Sequence, residues 1–317
     1  MTCAARGAAR YALAAAALVA VFLPAVAPVR AQLGLTDEDL EAASGGRVVR
    51  VGAAAGGNGG GVGRHAVVSW PLEPYVARVL AGESEPDADE AAVEALAVAI
   101  RTFALANADR HAADGFDLCD GTHCQVPRAA TAATRRATMA TLGQILTWNG
   151  APAEVFYSAS CGGYSEGAEH VWSGTGLPYL ASAVDDVHRH DIPWTVDLSV
   201  ADVEIALSRG GFRGSLRDVQ VDARSPSGRA IRLRLSGLEP SVITGEQFRS
   251  AIGNVVVRST LFSIDRRDAS LRVTGFGYGH GVGMCVIGAG RRATRGEGVR
   301  QILAQYFPGL ELTRLAP

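Results

Sequence analysis

Glu83 lies between a short apolar segment and a long helical pattern that begins near Asp89. A carboxyl group at such a junction is partly desolvated, which raises its pKa and suits it to donate a proton near neutral pH. A solvated glutamate that interacts with a helix dipole is the alternative interpretation. Taken alone, the position of Glu83 therefore predicts general acid catalysis only weakly.

Cys119, His123 and Cys124 fall within six residues of one another, and His111 lies a short distance upstream. Thiolate and imidazole groups are the ligands of tetrahedral zinc sites, so this group could hold a structural zinc ion. A disulfide, either between Cys119 and Cys124 or between one of them and Cys161, is an equally good interpretation in an oxidising compartment.

Glycine occupies every second position from Gly275 to Gly283, and His280 lies within this run. Such a run lets the backbone approach a ligand closely, so Tyr278 and His280 are predicted to contact one. A histidine that only braces the loop is the alternative. The run lacks the GxGxxG spacing and the P-loop lysine of nucleotide sites, so a nucleotide ligand is discounted.

The block from Phe156 to Tyr164 is predicted to be a strand that ends in hydroxyl groups and a Gly-Gly turn. Serine and tyrosine hydroxyls, close backbone approach at glycine and the stacking face of a tryptophan together suit a sugar ligand. A strand edge held by its own serine side chains is the alternative. The candidate binding residues here are Ser158, Ser160, Gly162, Gly163, Tyr164 and Trp172.

Apolar residues at helical spacing predict a helix over residues 89–108 and a second helix over residues 128–142. Residues 144–148 and 153–158 are predicted to be strands on either side of a type I′ turn at Asn149-Gly150. These elements would position the residues described above.

The second half of the chain alternates between the two kinds of element. Helices are predicted over residues 198–210 and 246–252, and strands over 218–222 and 230–235 around a turn at 225–228. This mixture predicts an α+β fold.

The first 31 residues have the pattern of a secretory signal peptide, with Arg6 and Arg10 before an apolar run and a cleavage site after Ala31. An uncleaved membrane anchor is the alternative. The Gly-rich stretch over residues 32–65 is predicted to be a linker. The mature protein is therefore expected to be exported to the periplasm or the cell envelope.

The charge distribution argues against one class of partner. The formal net charge is −2, and the sequence has no block of lysine or arginine of the kind that binds nucleic acid. Nucleic acid is therefore not an expected partner.

Four blocks, taken in chain order, resemble the stage II sporulation protein D/amidase enhancer (SpoIID/LytB) family. They are Leu72–Phe103, the Cys/His segment Asp117–Val126, Phe156–Glu166 with the following Val-Trp, and the Gly-His run Gly275–Gly283. The last block is similar to the Gly-x-Gly-x-Gly-His-Gly-Val-Gly-Met signature of that family and is the most specific match. The resemblance covers nearly all of the chain after the signal peptide.

The resemblance places the family's catalytic glutamate on Glu83, because the spacing to Arg101 fits. Glu85 is the competing residue, since Ser84-Glu85-Pro86 stands where members commonly have Met-Pro. Arg101 is implied to bind an anionic sugar substituent, such as the lactyl carboxylate exposed when a stem peptide is removed. Tyr157 replaces a common histidine, so any role of that histidine does not transfer.

The resemblance implies an α+β SpoIID-like domain over residues 66–317 that contains a glycan-binding groove. Its catalytic half would cover about 66–185 and its strand-rich half about 186–317. The implied activity is lytic transglycosylation of peptide-stripped peptidoglycan strands by the single acid/base Glu83, with no cofactor required.

Two other functions are considered. One is a non-catalytic peptidoglycan-binding protein that modifies a cell-wall amidase. The other is a zinc hydrolase built on Cys119, His123 and Cys124, which is least favoured because two thiolates with one histidine more often form a closed structural site.

Overall fold

The computed structural model describes residues 34–53, 66–172, 174, 176–188 and 192–316. From Leu35 onward the chain forms one compact unit. The predicted signal peptide over residues 1–31, its cleavage site after Ala31 and the tract Gly56–Gly61 lie outside the described residues. In the part of the chain that is described, no helix is both long enough and apolar enough to cross a membrane.

The α-helices alternate with short strands along the chain, as expected for an α+β fold. They are α1 (Asp37–Ala43), α2 (Leu72–Glu83), α3 (Glu90–Ala106), α4 (Ala132–Ala140), α5 (Ala168–Val171), α6 (Val200–Arg209), α7 (Gly245–Ile252), α8 (Val286–Thr294) and α9 (Val299–Tyr306).

The strands form several small sheets. They are β1 (Val48–Ala53), β2 (Ala66–Pro71), β3 (Leu118–Cys119), β4 (Gln144–Trp148), β5 (Ala151–Pro152), β6 (Tyr157–Ser158), β7 (Tyr164–Ser165), β8 (Ala183–Val184), β9 (Trp194–Ser199), β10 (Arg213–Arg224), β11 (Ala230–Glu239), β12 (Val242–Thr244), β13 (Phe262–Arg267), β14 (Ser270–Gly275), β15 (Met284–Cys285) and β16 (Glu311–Arg314). The sheet orders are β2-β1-β3, β16-β4-β5, β15-β6, β7-β8, β10-β11-β12 and β13-β14-β9.

Helix α3 is the centre of the larger hydrophobic core. It is apolar on almost every face, and each side chain from Ala95 to Ile100 is at most 1% exposed. A helix of this kind must be covered on all sides. It packs against α2, α4, α8, α9 and β4, and the predicted helix over residues 89–108 is thereby confirmed.

The second hydrophobic core lies between residues 203 and 273. It is formed where α6 and α7 pack on the sheets β10-β11-β12 and β13-β14-β9, with Leu207, Phe248 and Leu271 fully buried. We call the part of the chain around this core the second lobe and the part around α3 the first lobe. The predicted helices over 198–210 and 246–252 correspond to α6 and α7.

The C-terminal segment does not stay with the second lobe. Val282, Met284, Ile302 and Phe307 are buried in the core of the first lobe. The prediction of a single strand-rich half over residues 186–317 is therefore wrong at its C-terminal end. Apolar side chains on α8 and α9 pack against α3. They cover the side of α3 that the preceding elements of the chain do not cover.

Part of the predicted Gly-rich linker over residues 32–65 is folded. Thr36 caps α1 in a capping box with Asp39, and Leu40 is fully buried. Val49 and Val51 of β1 also belong to the core of the first lobe. The linker prediction is wrong for residues 37–53, because these apolar side chains stabilise a helix and a strand against the first lobe.

The hairpin after α4 agrees with its prediction only at its beginning. Asn149 and Gly150 have φ values of 52° and 80°, which is the backbone of a type I′ turn, and β4 has the predicted bounds. The predicted strand over 153–158 is short, because the chain leaves the β4 ladder and only β6 is paired, in parallel with β15. This pairing brings the segment Phe156–Tyr164, which we call the serine block, beside the Gly-His run.

Candidate active site

A cavity of about 650 Å³ lies between the two lobes. The first lobe contributes the end of α2, the Cys/His segment, the serine block and Trp172, and the second lobe contributes α7 and the residues that follow it. The cavity is lined by Glu83, Phe103, Arg110, Thr122, His123, Cys124, Val126, Phe156, Tyr157, Ser158, Ala159, Val171, Trp172, Glu246, Arg249, Asn254, Val255, Tyr278, Gly279 and His280.

Glu83 is the last residue of α2, and its half-buried carboxyl group faces this cavity. Burial raises its pKa above the ordinary value, and the charge of Arg128 opposes that shift. The C-terminal end of a helix also disfavours a negative charge. Among the described residues, no hydrogen bond or ion pair holds this carboxyl group, so it is available to a ligand.

Glu85 lies only two residues away in a different environment. Its side chain is exposed and does not line the cavity. An exposed carboxyl group keeps the hydration that stabilises its charged form, so the geometry favours Glu83 as the proton donor.

A chain of hydrogen bonds lies beside Glu83. The hydroxyl group of Tyr75 donates to Gln125 Oε1 (3.0 Å), and Gln125 Nε2 donates to the hydroxyl oxygen of Tyr157 (3.1 Å). Burial and the nearby Glu83 carboxyl group raise the pKa of Tyr157 well above its ordinary value. Tyr157 is therefore a neutral phenol on the cavity wall. Sequence reasoning gave Tyr157 and Gln125 no role, since neither residue type indicates a hydrogen-bond partner by itself.

His280 lines the same cavity as Glu83. Its Nδ1 atom accepts a hydrogen bond from the backbone N–H of Val282 (3.0 Å), and the backbone of Tyr157 also bonds the ring. Burial, with the charges of Arg229 and Arg249, lowers the pKa of His280 to about 3. The imidazole is therefore neutral, with its proton on Nε2, and its orientation is set by the backbone on both sides.

Two glycines of this run explain how the loop fits. Gly279 has a φ of 104°, and a Cβ atom there would lie 2.9 Å from Ser158 Cβ. Gly281 has a φ of 78°, and a Cβ atom there would overlap the guanidinium group of Arg229. Because a side chain at either position would push the loop away, glycine keeps His280 next to the serine block.

Aromatic and hydroxyl groups complete the wall. Trp172 stacks on Phe156 with ring centroids 4.3 Å apart, and its ring lies 5.1 Å from that of His280. Trp172 and Tyr278 are 37% and 42% exposed, so both offer a ring face to a ligand. Ser158 lines the cavity, and its buried Oγ has no hydrogen-bond partner in the described part of the chain. Such an atom needs a partner, and a bound ligand could supply it.

The predicted substrate-binding role of Arg101 is wrong. Arg101 is fully buried, and its Nη2 lies 2.6 Å from an oxygen of the equally buried Glu73. Its remaining hydrogen bonds go to the carbonyl groups of Gln144 (3.0 Å) and Thr138 (3.3 Å). The guanidinium group therefore joins α2, α3, α4 and β4 inside the first lobe and cannot reach a ligand.

Four of the predicted contacts in the serine block shape the loop instead of lining the cavity, namely those of Ser160, Gly162, Gly163 and Tyr164. Ser160 is buried, its Oγ accepts from the N–H of Gly162, and its backbone pairs with that of Tyr278. Gly162 lies so close to Gly277 that a Cβ atom would come within 2.9 Å of its nitrogen. These residues hold the two loops together. Their residue types alone do not show whether they brace a loop or contact a ligand.

His111, Cys119, His123 and Cys124 form one cluster whose ligand atoms all lie within 4.8 Å of one another. Cys124 Sγ is 3.4 Å from His111 Nε2 and 3.5 Å from His123 Nδ1, and Cys119 Sγ is 3.9 Å from His123 Nδ1. Ligand atoms about 3.3–3.8 Å apart are expected around a tetrahedral zinc ion. A hydrogen bond from Cys124 lowers the pKa of Cys119, which favours the thiolate form that binds zinc. The cluster therefore fits zinc.

Cys161 belongs to a different cluster. It is buried with Asp185 and Cys285, and its N–H donates to Cys285 Sγ (3.2 Å). The four cysteines of the described chain are all thiols. The suggested disulfide between Cys161 and Cys119 or Cys124 is therefore wrong, because β6 carries Cys161 toward β15 and into the first core.

Comparison with known proteins matches two separate parts of the chain. Residues 61–148 match the family described as Stage II sporulation protein (SpoIID). Residues 194–283, which contain the second lobe, match a domain of unknown function, DUF8618.

Three relatives span most of this chain. An uncharacterized protein of Brachyspira hyodysenteriae is 30% identical over 76% of this chain and 66% of its own length. Stage II sporulation protein D of Bacillus amyloliquefaciens is 27% identical over 78% of this chain and 76% of its own length. The amidase enhancer of Bacillus subtilis is 27% identical over 70% of this chain, and the match spans only 38% of that longer protein.

Proposed function

Because the chain belongs to the stage II sporulation protein D/amidase enhancer family, we propose that it is a lytic transglycosylase that cleaves peptide-stripped peptidoglycan glycan strands. The observation that carries this proposal is the half-buried carboxyl group of Glu83, which has a raised pKa and faces a cavity lined with aromatic and hydroxyl groups. Glu246 also lines the cavity, but it is held by Arg249 at 3.3 Å and is a weaker candidate for proton donor.

A single residue of this kind suffices for the reaction. The Glu83 carboxyl group donates its proton to the glycosidic oxygen while the bond from that oxygen to C1 of the muramic acid breaks. The Glu83 carboxylate then removes the proton of the C6 hydroxyl group, whose oxygen bonds to C1. A 1,6-anhydro end forms, the departing strand carries the first proton, and Glu83 is protonated again. Water is not consumed, so a second catalytic carboxylate is not needed.

The other cavity residues have roles in binding. Trp172 and Tyr278 provide ring faces for sugars, and the Ser158 hydroxyl group provides a hydrogen bond. His280 is a positioning group in this mechanism, because the backbone holds its ring on both sides and an imidazole with a pKa of about 3 remains neutral at the pH of catalysis.

The test is mass spectrometry of the products that the protein releases from peptide-free glycan strands. The wild type, Glu85→Gln and Glu246→Gln should release fragments with anhydro ends, and Glu83→Gln should release none. Fragments with ordinary reducing ends, together with loss of release in Glu246→Gln, would indicate a hydrolase with two carboxylates and would overturn the proposal.

A second function is favoured by the name of one relative, the amidase enhancer of B. subtilis. In that case the protein would bind glycan strands through the same cavity and modify a cell-wall amidase without breaking a bond itself. Binding without any release of fragments, and stimulation of an amidase that survives Glu83→Gln, would support this function over the first.

We also propose that His111, Cys119, His123 and Cys124 hold a structural zinc ion. Four protein ligands close a tetrahedral site and leave no position for a reacting water molecule, so zinc would stabilise the loop. That loop carries His123 and Cys124 to the cavity wall. Metal analysis of the purified protein should give one zinc per chain, and Cys119→Ser with Cys124→Ser should remove it.

Export to the periplasm or the cell envelope remains a proposal that rests on the N-terminal sequence pattern. The expected mature protein begins at Gln32, after cleavage behind Ala31. N-terminal sequencing of protein recovered from the cell envelope tests this cleavage, and an intact Met1 on membrane-bound protein would indicate an uncleaved anchor instead.

A further inference from the structure

Few charged side chains line the cavity, and most of them already have a partner or are neutral. Arg249 donates to the Val257 carbonyl group (3.1 Å) and to Glu246 (3.3 Å), so its charge is balanced within the second lobe. His280 is neutral and Glu83 has a raised pKa. Arg110 is the remaining arginine in the lining. In the described part of the chain no carboxylate lies within ion-pair distance of it.

Arg110 is nevertheless held in place. Its Nη1 donates to Asn107 Oδ1 at 2.8 Å, and Asn107 is itself buried and bonded to the Phe103 carbonyl group. The guanidinium carbon lies 5.9 Å from the centre of the Phe103 ring. These contacts orient the group and leave most of its five N–H donors available, and its charge also acts on the nearby Cys124 thiol. Such a group is suited to bind an anion at small entropic cost.

The position of Arg110 is at a junction. A second cavity of about 390 Å³ adjoins the first, and Arg110, Phe156 and Trp172 line both. A glycan strand that extends from one cavity into the other therefore passes Arg110 and Trp172. Glu154 and Glu169 line only the second cavity, so an anionic group is attracted to Arg110 and repelled by these two side chains.

We infer that Arg110 is a specificity-determining residue that binds the lactyl carboxylate of a muramic acid residue. This inference rests on the proposed function, since it takes the ligand to be a glycan strand. A carboxylate matches the planar guanidinium group, which can donate two parallel hydrogen bonds to it. A stem peptide converts this carboxylate into a neutral amide, so Arg110 distinguishes stripped sugars from substituted ones.

The experiment measures the affinity of three tetrasaccharides of equal length for the full protein. One contains muramic acid with free lactyl carboxylates, the second has these groups capped as simple amides, and the third is an N-acetylglucosamine tetramer with no lactyl group. To prevent cleavage, all variants carry Glu83→Gln. Arg110→Gln is compared with Arg136→Gln, which removes the same charge from an exposed residue that lines neither cavity.

The reference protein and Arg136→Gln should bind the carboxylate form about three- to tenfold more tightly than the amide form, as one partly exposed charge pair allows. In Arg110→Gln this ratio should fall to about one with the affinity for the N-acetylglucosamine tetramer unchanged, and Arg110→Lys should retain part of it. High salt should reduce the ratio in the reference protein.

Three results would overturn the inference. If the reference protein bound the carboxylate and amide forms with equal affinity, Arg110 would have no role in recognising the lactyl carboxylate. The proposed glycan function would be unaffected. Equal loss of all three ligands in Arg110→Gln would indicate a structural role next to His111, and zinc content measured on the same samples would report that damage. If the reference protein bound none of the three tetrasaccharides, both the proposed function and this inference would be wrong.

Discussion

Helix α2 carries a glutamate near each end, and the two have opposite surroundings. Glu73 lies in the first turn, is 2% exposed, and has both carboxylate oxygens within 3.1 Å of Arg101. Glu83 ends the same helix, is half-buried, and faces a cavity with no direct partner among the described residues. Glu73 is therefore part of the core, whereas Glu83 is available for chemistry.

The difference shows that burial alone does not identify a catalytic carboxyl group. A buried carboxylate that is paired with a buried cation keeps its charge, and the pair contributes to structure. A carboxyl group that is partly desolvated without such a cation binds its proton more tightly, which suits acid catalysis. The predictions below test this distinction.

The largest effect is expected on the rate in Glu83→Gln. Loss of the acid/base should reduce release of anhydro fragments by about 100- to 10,000-fold. The raised pKa of Glu83 means that its contribution to stability is present below its ordinary pKa and is lost as pH rises through the raised value. In urea denaturation at neutral pH, Glu83→Gln should therefore be at least as stable as the wild type. A clear loss of stability would mean that Glu83, like Glu73, belongs to the core.

Glu73→Gln should have the opposite profile. It leaves the guanidinium group of Arg101 buried without a counter-charge, so the free energy of unfolding should fall by about 3–5 kcal/mol. The double variant Glu73→Met/Arg101→Met, which removes both charges, should recover much of this loss. Urea denaturation measures all three proteins. A stable Glu73→Gln with a greatly reduced rate would contradict the comparison.

Removal of the proposed zinc ion tests whether the cavity wall across from Glu83 depends on the Cys/His loop. Chelation, or Cys119→Ser with Cys124→Ser, should lower the melting temperature by about 10 °C, the effect of losing a ligand held far above its Kd. Activity should fall as well, because His123 and Cys124 line the cavity. Calorimetry with and without added zinc measures the shift. No change in a protein shown to contain zinc would mean that the loop is held by its other contacts.

The pH dependence of kcat/KM should report the protonation of Glu83. Activity requires the protonated acid, so it should fall as pH rises through a pKa that lies above the ordinary value for glutamate. Rates between about pH 4 and 9 would define this alkaline limb. A limb at the ordinary glutamate pKa would mean that a carboxyl group other than the partly desolvated Glu83 donates the proton.

Arg128→Gln should produce the smallest effect. The charge of Arg128 lowers the pKa of Glu83, so its removal should move the alkaline limb upward by less than about one pH unit. Because Arg128 is exposed, salt at about 1 M should screen the interaction and abolish the difference from the wild type. A downward shift would mean that Arg128 does not act on Glu83 by its charge.

Several features of the site could be predicted because they depend on neighbours in sequence. The apolar periodicity of α3, the Asn149-Gly150 turn and the Gly-His run each specify a local conformation. The Cys/His spacing correctly identified residues that cluster.

The errors have one physical origin. Arg101 has the sequence context of a ligand-binding cation, and Ser160 and Gly162 have that of ligand contacts, but their actual partners are distant in sequence. Whether a polar group faces a ligand or the core depends on which elements pack against it, and periodicity does not report this.

Local sequence determined which residues could react: the carboxyl group of Glu83 at a helix end, the glycines around His280 and the closely spaced thiols. These depend on steric and periodic constraints over a few residues. Only the tertiary structure decided that Glu73 neutralises Arg101, that α8 and α9 complete the first core, and that Glu246 and Arg249 of the second lobe face Glu83 across one cavity. The pairing of charges and the closing of a cavity depend on contacts between distant segments, which form only when the chain is folded.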